Sequence, residues 1–177
     1  MKCFHLLNRT ALALTGLALA LNQGIVNAKE HPPIRIIPLS GNAGVSVIFT
    51  PTSDPAIAKA TVTGVVQNLP LGTCIDNAEL EARFPANPSD PVIVNGTATF
   101  TALDGVNSLK FTVSGSATPD PLNPGFYNAK YQITFTGGTG AYVSAKGVAE
   151  ITEVVMFTSA ATATATWTIK GFVVTPH

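Results

Sequence analysis

Cysteine, histidine, tryptophan and charge are all scarce in this chain. Its 177 residues include two cysteines, three histidines and one tryptophan, and only 11% are charged. The histidines are His5, His31 and His177, so the body of the chain has none. A Ser-His-Asp triad or a His-rich zinc site therefore lacks its central part, and no metal is expected. Cys3 lies in a basic N-terminal stretch and Cys74 is the one cysteine beyond it. Cleavage of the N-terminal segment would remove Cys3, so no intramolecular disulfide is expected to staple the fold, and Cys74 reads as a small buried hydrophobe. Amphipathic segments of 3.6-residue period and useful length are missing as well, which argues against a helical protein.

The N-terminus has three parts: a basic stretch with Lys2 and Arg9, the apolar run "ALALTGLALAL" from Ala11 to Leu21, and "VNA" ending at Ala28. This is the pattern of a secretory signal peptide over residues 1–28. The apolar run is shorter than the about 20 residues a bilayer-spanning helix needs, so no membrane span is expected after cleavage. Export to the periplasm or the medium follows. Lys2 and Arg9 are two of the ten Lys and Arg, while none of the ten Asp and Glu lies there, so the remainder carries a formal charge of −2. A nucleic-acid partner, which would want a basic excess, is not expected.

Residues 29–43, "KEHPPIRIIPLSGNA", read as an extended leader into one domain covering 44–177. Beyond the leader the pattern has period two. "YNAKYQITF" sets Tyr127, Ala129, Tyr131, Ile133 and Phe135 against Asn128, Lys130, Gln132 and Thr134, as in a half-buried strand. Residues 92–103 and 107–115 alternate likewise around Asp104-Gly105, a hairpin signal. "ATATATWTIK" alternates Ala with Thr and reads as a long strand whose small face lies against something close. Earlier strands are expected at 44–50 and 57–67, and only "NAELEARF" (77–84) favours a helical turn, ended by Pro85. Seven or eight antiparallel strands of this length make an all-β sandwich or closed barrel.

"TFTGGTGAYVSAKG" (134–147) invites comparison with a phosphate loop. It lacks the Gly-Lys-Ser/Thr of a Walker loop and the helix that a dinucleotide fingerprint opens, so no cofactor is expected. Gly137, Gly138, Gly140 and Gly147 read instead as a structural turn joining strands 126–136 and 141–155.

"GTATFTALDG" (96–105), "YNAKYQITFTGGTGAYVSAKG" (127–147) and the Thr-rich strand ending at Lys170-Gly171 together resemble the allene oxide cyclase-like and dirigent-like barrels, closest to secreted bacterial members. The resemblance covers roughly residues 64–172. It implies a single antiparallel barrel of about eight strands with an apolar cavity, and a homotrimer as in the plant relatives. It implies no catalytic residue, because the shared motif belongs to a turn and a strand.

Cavity chemistry would have to come from carboxylates and phenols. Val143, Ala145, Gly147, Ala149 and Ile151 form one apolar series that continues to Glu153. Inside a barrel, Glu153 would be a carboxyl of raised pKa and the candidate acid or base. The favoured expectation is a bulge near Val154 that turns Glu153 into water. Glu150 is expected to pair with Lys146, and Asp76, Glu79 and Glu81, without calcium-loop spacing, are expected at the surface. Tyr127, Tyr131 and Tyr142 are the candidate ligand contacts, with plain core packing as the alternative. The reading that results is an exported barrel that holds a small apolar molecule or serves as a surface or matrix protein. The alternatives are a cofactor-free cyclase or isomerase acting in the cavity, and a self-assembling structural module.

Overall fold

The computed structural model describes residues 33–176, so the expected signal peptide lies outside the described residues. Eight strands follow one another: β1 (Ile34–Pro51), β2 (Ile57–Leu69), β3 (Gly72–Arg83), β4 (Val92–Ala102), β5 (Ser108–Pro119), β6 (Phe126–Thr139), β7 (Lys146–Phe157) and β8 (Thr162–Pro176). Each pairs antiparallel with its sequence neighbours, and β1 pairs with β8 to close the barrel. Closure leaves no free sheet edge, the usual liability of an all-β chain.

Period two decides which side chains go inside. In β8, Ala163, Ala165, Trp167 and Ile169 are buried while Thr162, Thr164, Thr166 and Thr168 are exposed. The Ala/Thr run is therefore a barrel wall, as its alternation predicts. In β6, Ala129, Tyr131, Ile133 and Phe135 face inward. The Asp104-Gly105 turn also forms, with Gly105 at φ +71° and the Asp104 carboxylate accepting from the Val106 and Asn107 N–H groups.

Three local expectations need correction. Residues 34–43 belong to β1 and pair with β8, so the barrel begins well before residue 44. "NAELEAR" is strand and lies in β3, which buries Cys74, Asp76, Ala78 and Ala82 on one face and shows Asn77, Glu79 and Glu81 on the other. Helix propensity is a weak prior, and pairing with both β2 and β4 overrides it here. The glycine segment does not turn at Gly137 and Gly138, which lie within β6. There the ladder shifts register, Lys110 opposing Gly137 and Phe111 opposing Phe135, so Thr136 is a bulge residue. The chain reverses at the 3-10 turn Gly140–Tyr142, with Gly140 at φ +59°, and Gly147 is already in β7.

An eight-stranded barrel is just wide enough for side chains to fill it. One half is filled: Phe100, Leu109, Phe135, Ile169, Val66 and Cys74 are fully buried. Phe100 stacks on Trp167 at 5.8 Å between ring centroids and meets Phe111 at 4.5 Å. Cys74 is a buried thiol, as its composition argument anticipates. Replacing Phe100 by Ala should cost roughly 3–5 kcal/mol of stability, whereas the outward change Ile93→Thr should stay within about 0.5 kcal/mol. Urea unfolding followed by emission of Trp167, the single tryptophan, measures both.

Candidate functional site

The other half of the barrel is lined by small side chains. Ala60 and Val62 on β2, Ala78 and Ala82 on β3, and Val94 and Ala98 on β4 make one wall of a cavity of about 80 Å³, with Phe111 and Trp167 among its other lining residues. An adjoining hollow of about 40 Å³ leads toward Phe49, Phe84, Tyr127 and Phe157. These four rings form a collar, with Phe49 against Phe157 at 5.2 Å and Tyr127 against Phe157 at 5.3 Å. The backbone pins the collar to the neighbouring loops: the N–H of Phe49 donates to Ala161 O, that of Phe84 to Ala56 O and that of Phe157 to Gly125 O.

Two carboxyl groups point into this apolar space. Glu153 is 8% exposed, and β7 keeps its register through it, opposing Ala129 on one side and Trp167 on the other. The expected bulge near Val154 is absent, and Glu153 lies on the inner face. Asp76, expected at the surface, is 5% exposed and lies in β3 between Gly64 and Phe100. Its place follows from alternation: Cys74, Asp76 and Ala78 share a face once the segment is a strand. That signal was present in the sequence and was masked by helix-favouring neighbours.

β3 and β7 lie four strands apart in either direction round the ring, so the two carboxyls approach from opposite walls. Burial pushes the Asp76 carboxyl up to about 7 from its ordinary 3.8, and the Glu153 charge adds to the effect. Burial also raises Glu153 to about 7 from 4.5, opposed by a hydrogen bond from the Tyr131 hydroxyl. Tyr131 is raised in turn by burial and by the neighbouring carboxylate. Its position is set by Gly115, directly opposite on β5, where a Cβ would stand 2.9 Å from the Tyr131 ring. Asp76 Oδ1 is buried and has no hydrogen-bond partner. A buried polar oxygen without a donor costs on the order of 1–3 kcal/mol.

The three candidate tyrosines therefore separate. Tyr131 lines the cavity beside Glu153, and Tyr127 belongs to the collar. Tyr142 sits in the 3-10 turn at the filled end and lines neither hollow. Glu79 and Glu81 are exposed, and so is Glu150, which accepts from Gln132 Nε2. Lys146 does not serve Glu150, since its Nζ donates to the Thr136 carbonyl at 2.9 Å.

The raised carboxyls set a sign for pH dependence. A group that stays protonated in the fold up to about pH 7, but ionises near 4 when unfolded, stabilises fully below its unfolded pKa. That contribution is lost as pH rises through the folded value. Stability should thus fall between pH 4 and pH 8 by on the order of a few kcal/mol for the pair. Urea midpoints across this range should show the slope in the wild type, and the double variant Asp76→Asn, Glu153→Gln should lose most of it. An unchanged slope in the double variant would place the effect elsewhere.

Comparison of the chain with protein-family models, with curated proteins and with solved structures found no match.

Proposed function

We propose that this chain is an exported ligand-binding barrel that holds a small, largely apolar molecule in its lumen. Asp76, Glu153 and Tyr131 engage the polar end of that molecule, and the collar of Phe49, Phe84, Tyr127 and Phe157 covers the rest. The observation that carries this reading is the alanine-walled hollow lined by the Asp76 and Glu153 side chains, in which Asp76 keeps one buried oxygen without a hydrogen-bond partner. A purely structural module would be expected to fill its interior with side chains. The hollow is smaller than the ~300–1,000 Å³ pockets that take drug-sized molecules, so the ligand is correspondingly small. In the exported allene oxide cyclase-like type, which we propose on the glycine turn and its flanking strands, the assembly is a homotrimer.

A second reading, a cofactor-free isomerase or cyclase, is favoured by one specific observation. Two carboxyls held near neutrality, with a phenol beside one of them, are what proton transfer to and from a bound molecule requires. Such an enzyme would convert a component of a host extract at constant mass, and the Asp76→Asn, Glu153→Gln variant would not.

Native mass spectrometry of protein purified from its natural host tests the binding reading. The expected spectrum shows trimers carrying a small molecule that organic solvent releases. Saturation with xenon should also perturb the emission of Trp167, which borders the cavity. Protein that is strictly ligand-free, with Trp167 indifferent to xenon, would overturn it.

A further inference from the structure

The chemical class of the ligand can be narrowed, given the lumenal binding just proposed. We infer that the polar end of the occupant is a cation, a protonated amine seated between Asp76 and Glu153, with its apolar body directed toward the aromatic collar.

Charge distribution is the first ground. Every lysine and arginine among the described residues is exposed, and none of them lines the cavity: Arg35, Lys59, Arg83, Lys110, Lys130, Lys146 and Lys170. The ionisable groups lining the cavity are Asp76 from β3, Glu153 from β7 and Tyr131 from β6, with none from β1, β2, β4, β5 or β8. Among the described residues the lumen thus holds two carboxyls from opposite walls and no positive charge to meet them. Buried charges are tolerated when they are paired, and no described residue supplies that partner here.

Hydrogen bonding is the second ground. Glu153 accepts from Tyr131, while Asp76 Oδ1 is enclosed and has no donor. A neutral hydroxyl could satisfy one acceptor with its single proton. An ammonium has three donors and no acceptor, which matches a lining that offers carboxyl acceptors from both β3 and β7. Aromatic faces are the third ground. The Trp167 ring lies in the wall beside Glu153, its register partner, and an aromatic face attracts a desolvated cation further.

A cation between the carboxyls would draw both back toward their ionised forms, so binding should strengthen as pH rises through about 7. Simple alkylamines remain protonated there, with pKa values near the ~10.4 of lysine. The cavity of about 80 Å³ and its adjoining hollow of about 40 Å³ together fall short of the ~150 Å³ cavity that admits benzene, which limits the probe to about six heavy atoms.

Cyclopentylamine, cyclopentanol and cyclopentane form a matched series for the full-length exported protein, titrated at pH 8 with Trp167 emission and the indole N–H resonance as readouts. Cyclopentylamine should bind at least tenfold more tightly than cyclopentanol. That advantage should shrink at pH 5 and vanish in Asp76→Asn, Glu153→Gln, in which cyclopentane should still bind. Neutral substitutions of these raised carboxyls are expected to fold, and the single variant Glu153→Gln, losing part of the amine preference, is a second check. Equal or tighter binding of cyclopentanol in the wild type would overturn the cationic assignment and leave lumenal binding standing. If none of the three probes moves the Trp167 signals, both readings fail together.

Discussion

Closure of an antiparallel sheet on itself is the constraint from which everything else in this molecule follows. Once β1 pairs with β8, every strand has two neighbours and every second residue is committed to a common interior. Cys74, the one cysteine among the described residues, is a free thiol, so the stability of the ring rests on what that interior contains. In the filled half, Phe100, Phe111 and Trp167 form a continuous aromatic contact. In the other half, alanines on β2, β3 and β4 are too small to meet across the same diameter. The cavity is a consequence of residue size at fixed barrel width, with no loop or second domain needed to make it.

A polar residue at an inward position of such a barrel cannot avoid desolvation. Rotating the side chain does not help, because the strand directs it inward and the neighbouring strands block its exit. Asp76 and Glu153 are two such residues, and the ring places them on facing walls. Their mutual repulsion and burial act in the same direction, while Tyr131 relieves only Glu153. The asymmetry gives the lumen a polar end near Asp76 and an apolar, aromatic end at the collar. A barrel with this polarity orients whatever enters it.

Much of the architecture was legible from alternation. β6 and β8, the Asp104-Gly105 hairpin and the inward place of Tyr131 all follow from period two and from one turn dipeptide. The site was only half legible. Glu153 stood on the apolar series of its strand, yet the cost of burying an unpaired carboxyl argued for a bulge that the ladder does not contain. Asp76 was hidden behind "NAELEAR", whose residues favour helix when taken alone and form a strand when two neighbours offer hydrogen bonds. In both cases a local rule was sound and a longer-range pairing outweighed it.

The sequence by itself determined most of the strands and the inward faces of β6 and β8, because period two depends on near neighbours in the chain. Only the tertiary structure decided that Asp76 and Glu153 share one cavity. Strands that far apart meet only when the ring closes, and no periodicity within either segment encodes which wall faces which. The glycine segment at 134–147 shows the same division. Its composition announced a break in regular structure, but the place of the bulge and of the reversal was set by pairing with β5 and β7.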